Sequence, residues 1–451
     1  MLSKTIALLL LLAVSVTAST AEPNNESPEP GPRQFTLPQA LQYALENSPA
    51  LRQEVQRIAR EEGVLIEAKA LFLPRVDLVG NYEQTDSGLL PSFGGTTFGS
   101  DNDWRVAVEV SQTLYAGGRN LARREGQTLR VEAIKENYQA AVEEVILGVR
   151  AQFYLVLLAE AEVVVQEENV RLLETELRDT QRRYDAGSLP EFNLLRAKVA
   201  LANGQVPLIR TRNQLRLSLD ELARLMGYRP PVEFDDEPPL KVEGELGYEE
   251  GVPSLQAMLA FARANRPELK GVALSIDASQ EEVKVAERHH LPELSAYAGY
   301  ALIRDPFTSS TRDYNNGWFV GVRGQWNLFD GFASRGRTQA ARSDVRRLQA
   351  EEDSIYLQID MEVRRALSEL REAAELVDAS QQVVGQAEES VRLAQSRYNS
   401  GVGTQLELLD SQVALTQARS NKVRALFDYN LARARLDRAI GSSDVVTWRN
   451  F

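Results

Sequence analysis

Arg182-Arg183-Tyr184-Asp185-Ala186-Gly187-Ser188-Leu189-Pro190-Glu191 is a helix end followed by a helix start. Upstream of it Val163, Val170, Leu173 and Leu177 fall at steps of seven, three and four. That is the spacing with which one helix buries a narrow seam against another. Gly187 can take the left-handed conformation that stops a helix, and Pro190 suits the opening of the next. The same unit returns 214 residues later. There Val384, Ala387, Val391, Ala394 and Tyr398 repeat the seam, and Arg397-Tyr398-Asn399-Ser400-Gly401 repeats the break. Val413-Ala414-Leu415 on the far arm matches Val199-Ala200-Leu201. The chain therefore contains a long helical hairpin twice.

Working outward, the descending arms are expected over about 120–184 and 331–398, and the returning arms over 191–226 and 404–440. Some 60 residues of helix span roughly 90 Å, a coiled-coil length. The returning arms are shorter. The missing length can come from helices over 49–73 and 267–290 stacked end to end with them, making a four-helix layer per chain. A short helix capped by Thr36 precedes the first of these and ends near Asn47-Ser48-Pro49; 253–265 repeats it.

Pro74 and Pro292, 218 residues apart, open a different pattern. Val76, Leu78, Gly80 and Tyr82 alternate with Asp77, Val79 and Asn81; Trp104, Val106, Val108 and Val110 alternate with Arg105, Ala107, Glu109 and Ser111. Leu294, Ala296, Ala298 and Tyr300, then Trp318, Val320 and Val322, repeat the pair. Strand pairs 74–84 with 103–114 and 292–303 with 317–328 are expected, joined by polar loops over 85–102 and 305–316. Their length suits a tilted membrane crossing, and Trp104 and Trp318 are expected at the bilayer interface. Gly117 and Gly118 in Leu114-Tyr115-Ala116-Gly117-Gly118, and Gly331 in Leu328-Phe329-Asp330-Gly331-Phe332, are expected to turn strand into helix. The register there is again 214, as duplication requires.

The chain has 451 residues, no cysteine, two histidines (His289 and His290) and a net charge of −13. Disulfides and cysteine metal sites are absent, no metal or other cofactor is expected, and a general nucleic-acid binder is disfavoured. Residues 1–21 have the charge, apolar core and Ser19-Thr20-Ala21 ending of a signal peptide, and 22–33 read as a disordered lead-in. No later run is apolar enough for a membrane helix; the richest, Val145 to Val165, is broken by Arg150, Glu160 and Glu162. The organisation expected is a first repeat over 34–227, a Pro-rich acidic linker over 228–252 packed outside the helical body at its equator, a second repeat over 253–441, and a short tail over 442–451.

Four amphipathic strands cannot close a barrel, and bare edges are intolerable in lipid. Oligomerisation solves this: three chains supply twelve strands, two would supply eight. The signal peptide, the proline strand entries, the Leu-Tyr-Ala-Gly-Gly and Leu-Phe-Asp-Gly elements and the Arg-Tyr-x-x-Gly breaks, in this order over residues 34–441, together resemble the TolC family of outer-membrane efflux proteins. The resemblance implies a mixed α+β fold: a homotrimer whose twelve-stranded transmembrane β-barrel, four strands per chain, continues into a long periplasmic α-helical barrel of coiled-coil hairpins. It implies an exit duct in outer-membrane lipid, docked to a periplasmic adaptor (a membrane fusion protein) and an inner-membrane transporter, for efflux or type I secretion. The competing reading is a periplasmic coiled-coil adaptor or scaffold without a pore. No nucleophile, base and orienting group cluster in a loop, so no enzyme is expected.

Glu407 and Asp410, three residues apart just past the second break, share one side of a helix. Repeated about an axis they would make stacked acidic rings that invite cations. The family places an acidic pair here at the closed periplasmic entrance, with Asp where this chain has Glu407. Asn193 and Arg196 stand at the same positions of the first hairpin, so one hairpin can donate the acidic ring while the other holds it, with Arg196 pairing an acidic group across the tip. Tyr184, Asp185 and Gly187, with Tyr398, Asn399, Gly401 and Gly403, form the tips expected to dock the adaptor, the two tyrosines wedging between arms.

Overall fold

A computed structural model of the chain describes residues 34–86, 88, 92–93, 96–97, 102–229, 240–249, 251, 253–305 and 313–442. The signal peptide, the lead-in, residues 230–239 of the linker and the tail beyond Ser442 lie outside the described residues. The first repeat opens with β1 (Gln34–Thr36), α1 (Leu37–Asn47) and α2 (Pro49–Ala70). The strand pair is β2 (Arg75–Gln84) and β5 (Asn102–Tyr115), with a two-residue hairpin, β3 (Ser92–Phe93) and β4 (Thr96–Thr97), between them. The hairpin arms are α3 (Arg119–Asp185) and α4 (Glu191–Met226). After β6 (Lys241–Glu243), the second repeat gives α5 (Leu255–Asn265), α6 (Pro267–Glu287), β7 (Glu293–Arg304), β8 (Tyr314–Gln325), α7 (Ala333–Asn399) and α8 (Gln405–Ala439).

The two long helices have 67 residues each and contain no proline, so each extends about 100 Å. Each carries a shorter returning arm on its lower half: α4 packs on α3, and α8 on α7. On the upper half α2 and α6 both pack on α3, and α7 packs on α6. The stacking of short on long is tight. At Gly227, closing α4 with φ +72°, a Cβ would lie 2.4 Å from the Asn47 carbonyl just before α2. At the equivalent Gly441 the nearest atom is the Arg266 nitrogen, at 3.2 Å.

Two apolar cores sit where the short α1 and α5 cover the long helices. One gathers Phe35, Leu41, Phe153, Leu222, Met226 and Leu240; the other Met258, Ile359, Val363, Leu367, Tyr429 and Ile440. The linker belongs to this level: β6 pairs parallel with β1, and Tyr429 and Asn430 bond to the carbonyls of Glu249 and Gly247.

Above, four strands form one antiparallel sheet in the order β2-β5-β7-β8. The register puts Leu78 opposite Val108, Val108 opposite Tyr300, and Tyr300 opposite Trp318, so one face is apolar across all four strands. Asp77, Glu109, Ser111 and Arg323 lie on the other face. Among the described residues both edges, β2 and β8, are unpaired.

Several boundaries differ from those read in the sequence. The last strand runs Tyr314–Gln325 rather than 317–328, because pairing from Arg304–Tyr314 onward recruits Asn315 and Asn316, poor strand formers alone. Trp326 falls outside the ladder and donates its indole N–H to the His290 carbonyl. Helix α2 stops at Ala70 rather than at 73, since a residue before Pro74 is disfavoured in helix. Helix α6 stops at Glu287, and Arg288–His290 form a tighter turn.

Candidate entrance site at the hairpin tips

Each tip is closed by a glycine in the left-handed region, Gly187 at φ +71° and Gly401 at φ +74°. The bonding is that of a helix stop: Gly187 N–H donates to the Tyr184 carbonyl and Ser188 N–H to that of Arg183; Gly401 N–H and Val402 N–H repeat this on Tyr398 and Arg397. Gly403 has a second constraint, since a Cβ there would lie 2.9 Å from that of Arg397. The next helix is then capped by Thr404, whose hydroxyl accepts from the Glu407 N–H at 3.2 Å.

This cap sets the acidic pair. Glu407 and Asp410 are both exposed on the first turns of α8. Glu407 faces Arg397 of the descending arm, Oε2 to Nη2 3.6 Å. Asp410 has no hydrogen bond or ion pair among the described residues. In the first hairpin Arg196 lies over the ring of its own Phe192, 4.9 Å from the centroid, and meets no carboxylate among the described residues. Asn193 N–H closes the first turn on the Pro190 carbonyl.

The tyrosines separate. Tyr398 is buried and carries Arg183 of the other hairpin over its ring at 5.0 Å, whereas Tyr184 is far more open. Burial pushes the Tyr398 phenol up, and the nearby Glu176 carboxylate pushes it the same way. Asn399 accepts from Arg183 at 3.2 Å and Asp185 from Gln181 at 2.8 Å.

Sequence reading missed Glu176, Thr180 and Gln405, buried where α3 meets α8. Thr180 donates to Glu176 at 3.1 Å, and the Gln405 amide donates to both at 3.3–3.5 Å. Burial pushes the Glu176 carboxyl up. Further along the same contact Thr416 donates to Asn169 and Ser420 to Glu162, while Arg419 pairs with Glu168. The two arms within a hairpin meet through an apolar seam: Val170 and Leu173 are buried, and Gly204 of α4 leaves room for Leu173. The two hairpins meet each other through polar side chains. The signal in the sequence was the polar row Asn169, Glu176, Thr180 beside the apolar one, legible only once α8 is known to cover it.

At the far end Gly117, Gly118 and Gly331 all have positive φ, from +63° to +77°. The equivalent of Gly118 in the second repeat is Phe332, left-handed at φ +68° and packed edge-on against Phe329. Trp104 and Trp318 both lie on the apolar face of the sheet, Trp104 opposite Tyr82 and near Tyr314, Trp318 exposed opposite Tyr300.

The model of the outer membrane efflux protein family matches residues 40–228 and again 259–442, one stretch for each repeat. Protein CyaE of Bordetella pertussis is 26% identical over 396 residues, 86% of this chain and 80% of that protein. The outer membrane protein TolC of Escherichia coli K12 is 20% identical over 421 residues, 90% of this chain and 82% of that protein. Among solved structures, the CmeC outer membrane channel of Campylobacter jejuni superposes with a TM-score of 0.78 at 15% identity, covering 92% of this chain and 88% of that one.

Proposed function

Because this chain belongs to the TolC family of outer membrane efflux proteins, we propose that three copies form a continuous exit duct across the periplasm and outer membrane. The observation that carries this reading is the sheet. It has one apolar face, one polar face and two bare edges, and it sits on helices about 100 Å long. In lipid the edges must be paired, and β8 of one copy on β2 of the next closes twelve strands around a polar interior. Trp104 and Trp318 then anchor the barrel at its interfaces, and Gly117, Gly118 and Gly331 turn strand into helix beneath it.

The duplication supports the same closure in the helices. Within the chain α8 lies against α3, with Thr416 bonded to Asn169. Shifting each partner by 214 residues turns that contact into one between α4 and the α7 of a second copy, Ala202 against Val383. The α4 face concerned is a heptad row of Phe192, Leu195, Val199, Ala202, Val206 and Ile209, with Phe192 64% and Ile209 67% exposed in the single chain. On α7 the matching row contains Leu376, Val383 and Leu393, all exposed. Two apolar seams at coiled-coil spacing suit each other. The chain lacks cysteine, so Ala202→Cys with Val383→Cys tests this directly. Mild oxidation should give a disulfide ladder ending at three chains; monomers alone, or a ladder ending at two, contradict the assembly.

The tips form the gated periplasmic entrance. Three copies bring Glu407 and Asp410 into an acidic ring, with Asn193 and Arg196 on the alternate hairpins. Opening moves the second hairpin away from the first, because a polar contact can exchange its partners for water at about 1 kcal/mol each, whereas an apolar seam cannot. The exposed tip residues Tyr184, Asp185 and Gly187, and Asn399 and Gly401 with the half-buried Gly403 beside the buried Tyr398, give a periplasmic adaptor its footing. Through the adaptor, cargo enters from an inner-membrane transporter.

A further inference from the structure

Beneath the sheet, α3, α6 and α7 enclose an open cavity of about 760 Å³. Its lining includes small side chains of α6 and α7, Ala278 and Ala286 with Ala340 and Ala341. The lining also holds four arginines, Arg123 and Arg130 from α3 and Arg337 and Arg347 from α7. The lining carboxylates are Glu282, bonded to Arg130 at 3.2 Å, and Asp344, 3.8 Å from Arg347. Outside the lining, Asp330 reaches Arg337 and Glu351 reaches Arg347, both at 3.1 Å. Arg123 makes no hydrogen bond or ion pair among the described residues. Three of the four lining guanidinium groups are thus already paired, with two carboxylates of the lining and two outside it, and among the described residues Arg123 alone is left to an incoming anion.

Two observations fix the character and the direction of this site. Burial first, and then the nearby Arg337 and Arg119, hold His289 at the cavity wall below the ordinary imidazole range. Arg119 reaches from His289, at 3.1 Å, to Glu293 at 2.7 Å, and Glu293 stands on the polar face of β7. The cavity wall at His289 is thus joined through Arg119 to the polar face of the sheet rather than to its apolar face.

Resting on the duct reading, we propose that this cavity is a binding station for multivalent anions, that is, for cargo with clustered carboxylate or phosphate groups passing from the helical into the stranded part of the duct. Guanidinium forks on facing helices suit planar carboxylates and phosphates. An acidic entrance followed by a basic station would favour cargo that carries both kinds of charge.

The test is equilibrium binding of citrate, and separately of pyrophosphate, to the purified full-length protein in metal-free buffer. Arg123→Ala with Arg347→Ala should weaken binding about tenfold. Arg335→Ala with Arg346→Ala, which removes equal charge from another face of α7, should leave it within about twofold, and Arg123→Lys, which keeps the charge and loses the fork, should fall between wild type and the Arg123→Ala, Arg347→Ala double variant. Citrate binding alone assigns carboxylate cargo, pyrophosphate binding alone phosphate cargo. Wild-type protein that binds neither, or equal losses in both double variants, overturns the proposal. Conductance of the same preparation separates the two readings. A conducting channel indifferent to both anions sinks the station alone, whereas a protein that binds them but never conducts sinks the duct.

Discussion

Glycine at the helix ends divides into positions that need only the left-handed turn and positions that also need the space. At Gly187 and Gly401 no atom lies within 4 Å of where a Cβ would stand, so only the φ matters; Gly227 needs both, because the Asn47 carbonyl is 2.4 Å from its Cβ position. Gly441 has nearly the same φ but 3.2 Å of room. Gly227→Ala should therefore destabilise the protein more than Gly441→Ala, by about 1 kcal/mol or more beyond a shared left-handed cost of about 1–2 kcal/mol. Thermal unfolding of both variants in detergent measures the difference; equal losses would show that α2 does not bear on the end of α4. Phe332 shows the same conformation tolerated without glycine, its ring packed on Phe329. From the sequence the glycines at 117, 118, 187, 331 and 401 were readable because a break in a seam demands them. The demand for space at Gly227 and Gly403 was not, since it comes from residues brought close only by the fold.

The helix joints carry the other device that burial builds. Glu143 of α3 is buried beside the joint of α8 and α6, where Arg266 pairs with Glu268 and Glu362, and Arg438 with Glu362. Burial, then repulsion from Glu268, raises the Glu143 carboxyl to about 7. A carboxylate raised in the fold contributes stability that is complete below its ordinary range near pH 4.5 and is lost as pH rises through about 7. Glu143→Gln should remove that dependence. The variant should gain about 1–3 kcal/mol on wild type at about pH 8 and nothing at about pH 4. Melting curves at the two pH values check this, and a gain of the same size at both would show that the carboxyl does not titrate with folding. Asp437, paired with Arg150 at 2.9 Å and raised by burial to about 6, stays in both proteins and cancels in the comparison. The long helices and their seams were legible because Val170, Leu173 and Val384 recur at coiled-coil spacing. The three-residue strand β1 was not, because Gln34-Phe35-Thr36 becomes a strand only through pairing with Lys241–Glu243.

At the scale of the whole molecule the duplication lets one chain display, between its own hairpins, a counterpart of the interface proposed between copies. The contact of α3 with α8 is built into the chain and is polar; the α4 and α7 faces related to it by the duplication are apolar and exposed in the single chain, and the proposed assembly brings them together between copies. In the proposed assembly that asymmetry gives firm joints between copies and breakable ones between hairpins of the same copy, as a tube with a movable entrance needs. The acidic pair at Glu407 and Asp410 was visible from its spacing. The Glu176–Thr180–Gln405 contact that holds its hairpin in place was hidden, because each residue alone reads as a solvated helix position.

The most direct test of the duct and its gate is planar-bilayer conductance of the purified protein, wild type against Glu407→Ala with Asp410→Ala. Wild type should form small, cation-preferring channels that divalent ions block, and the variant should lose both the block and the preference. Identical wild-type and variant channels would contradict the acidic gate, and a correctly assembled protein that never conducts would contradict the duct itself.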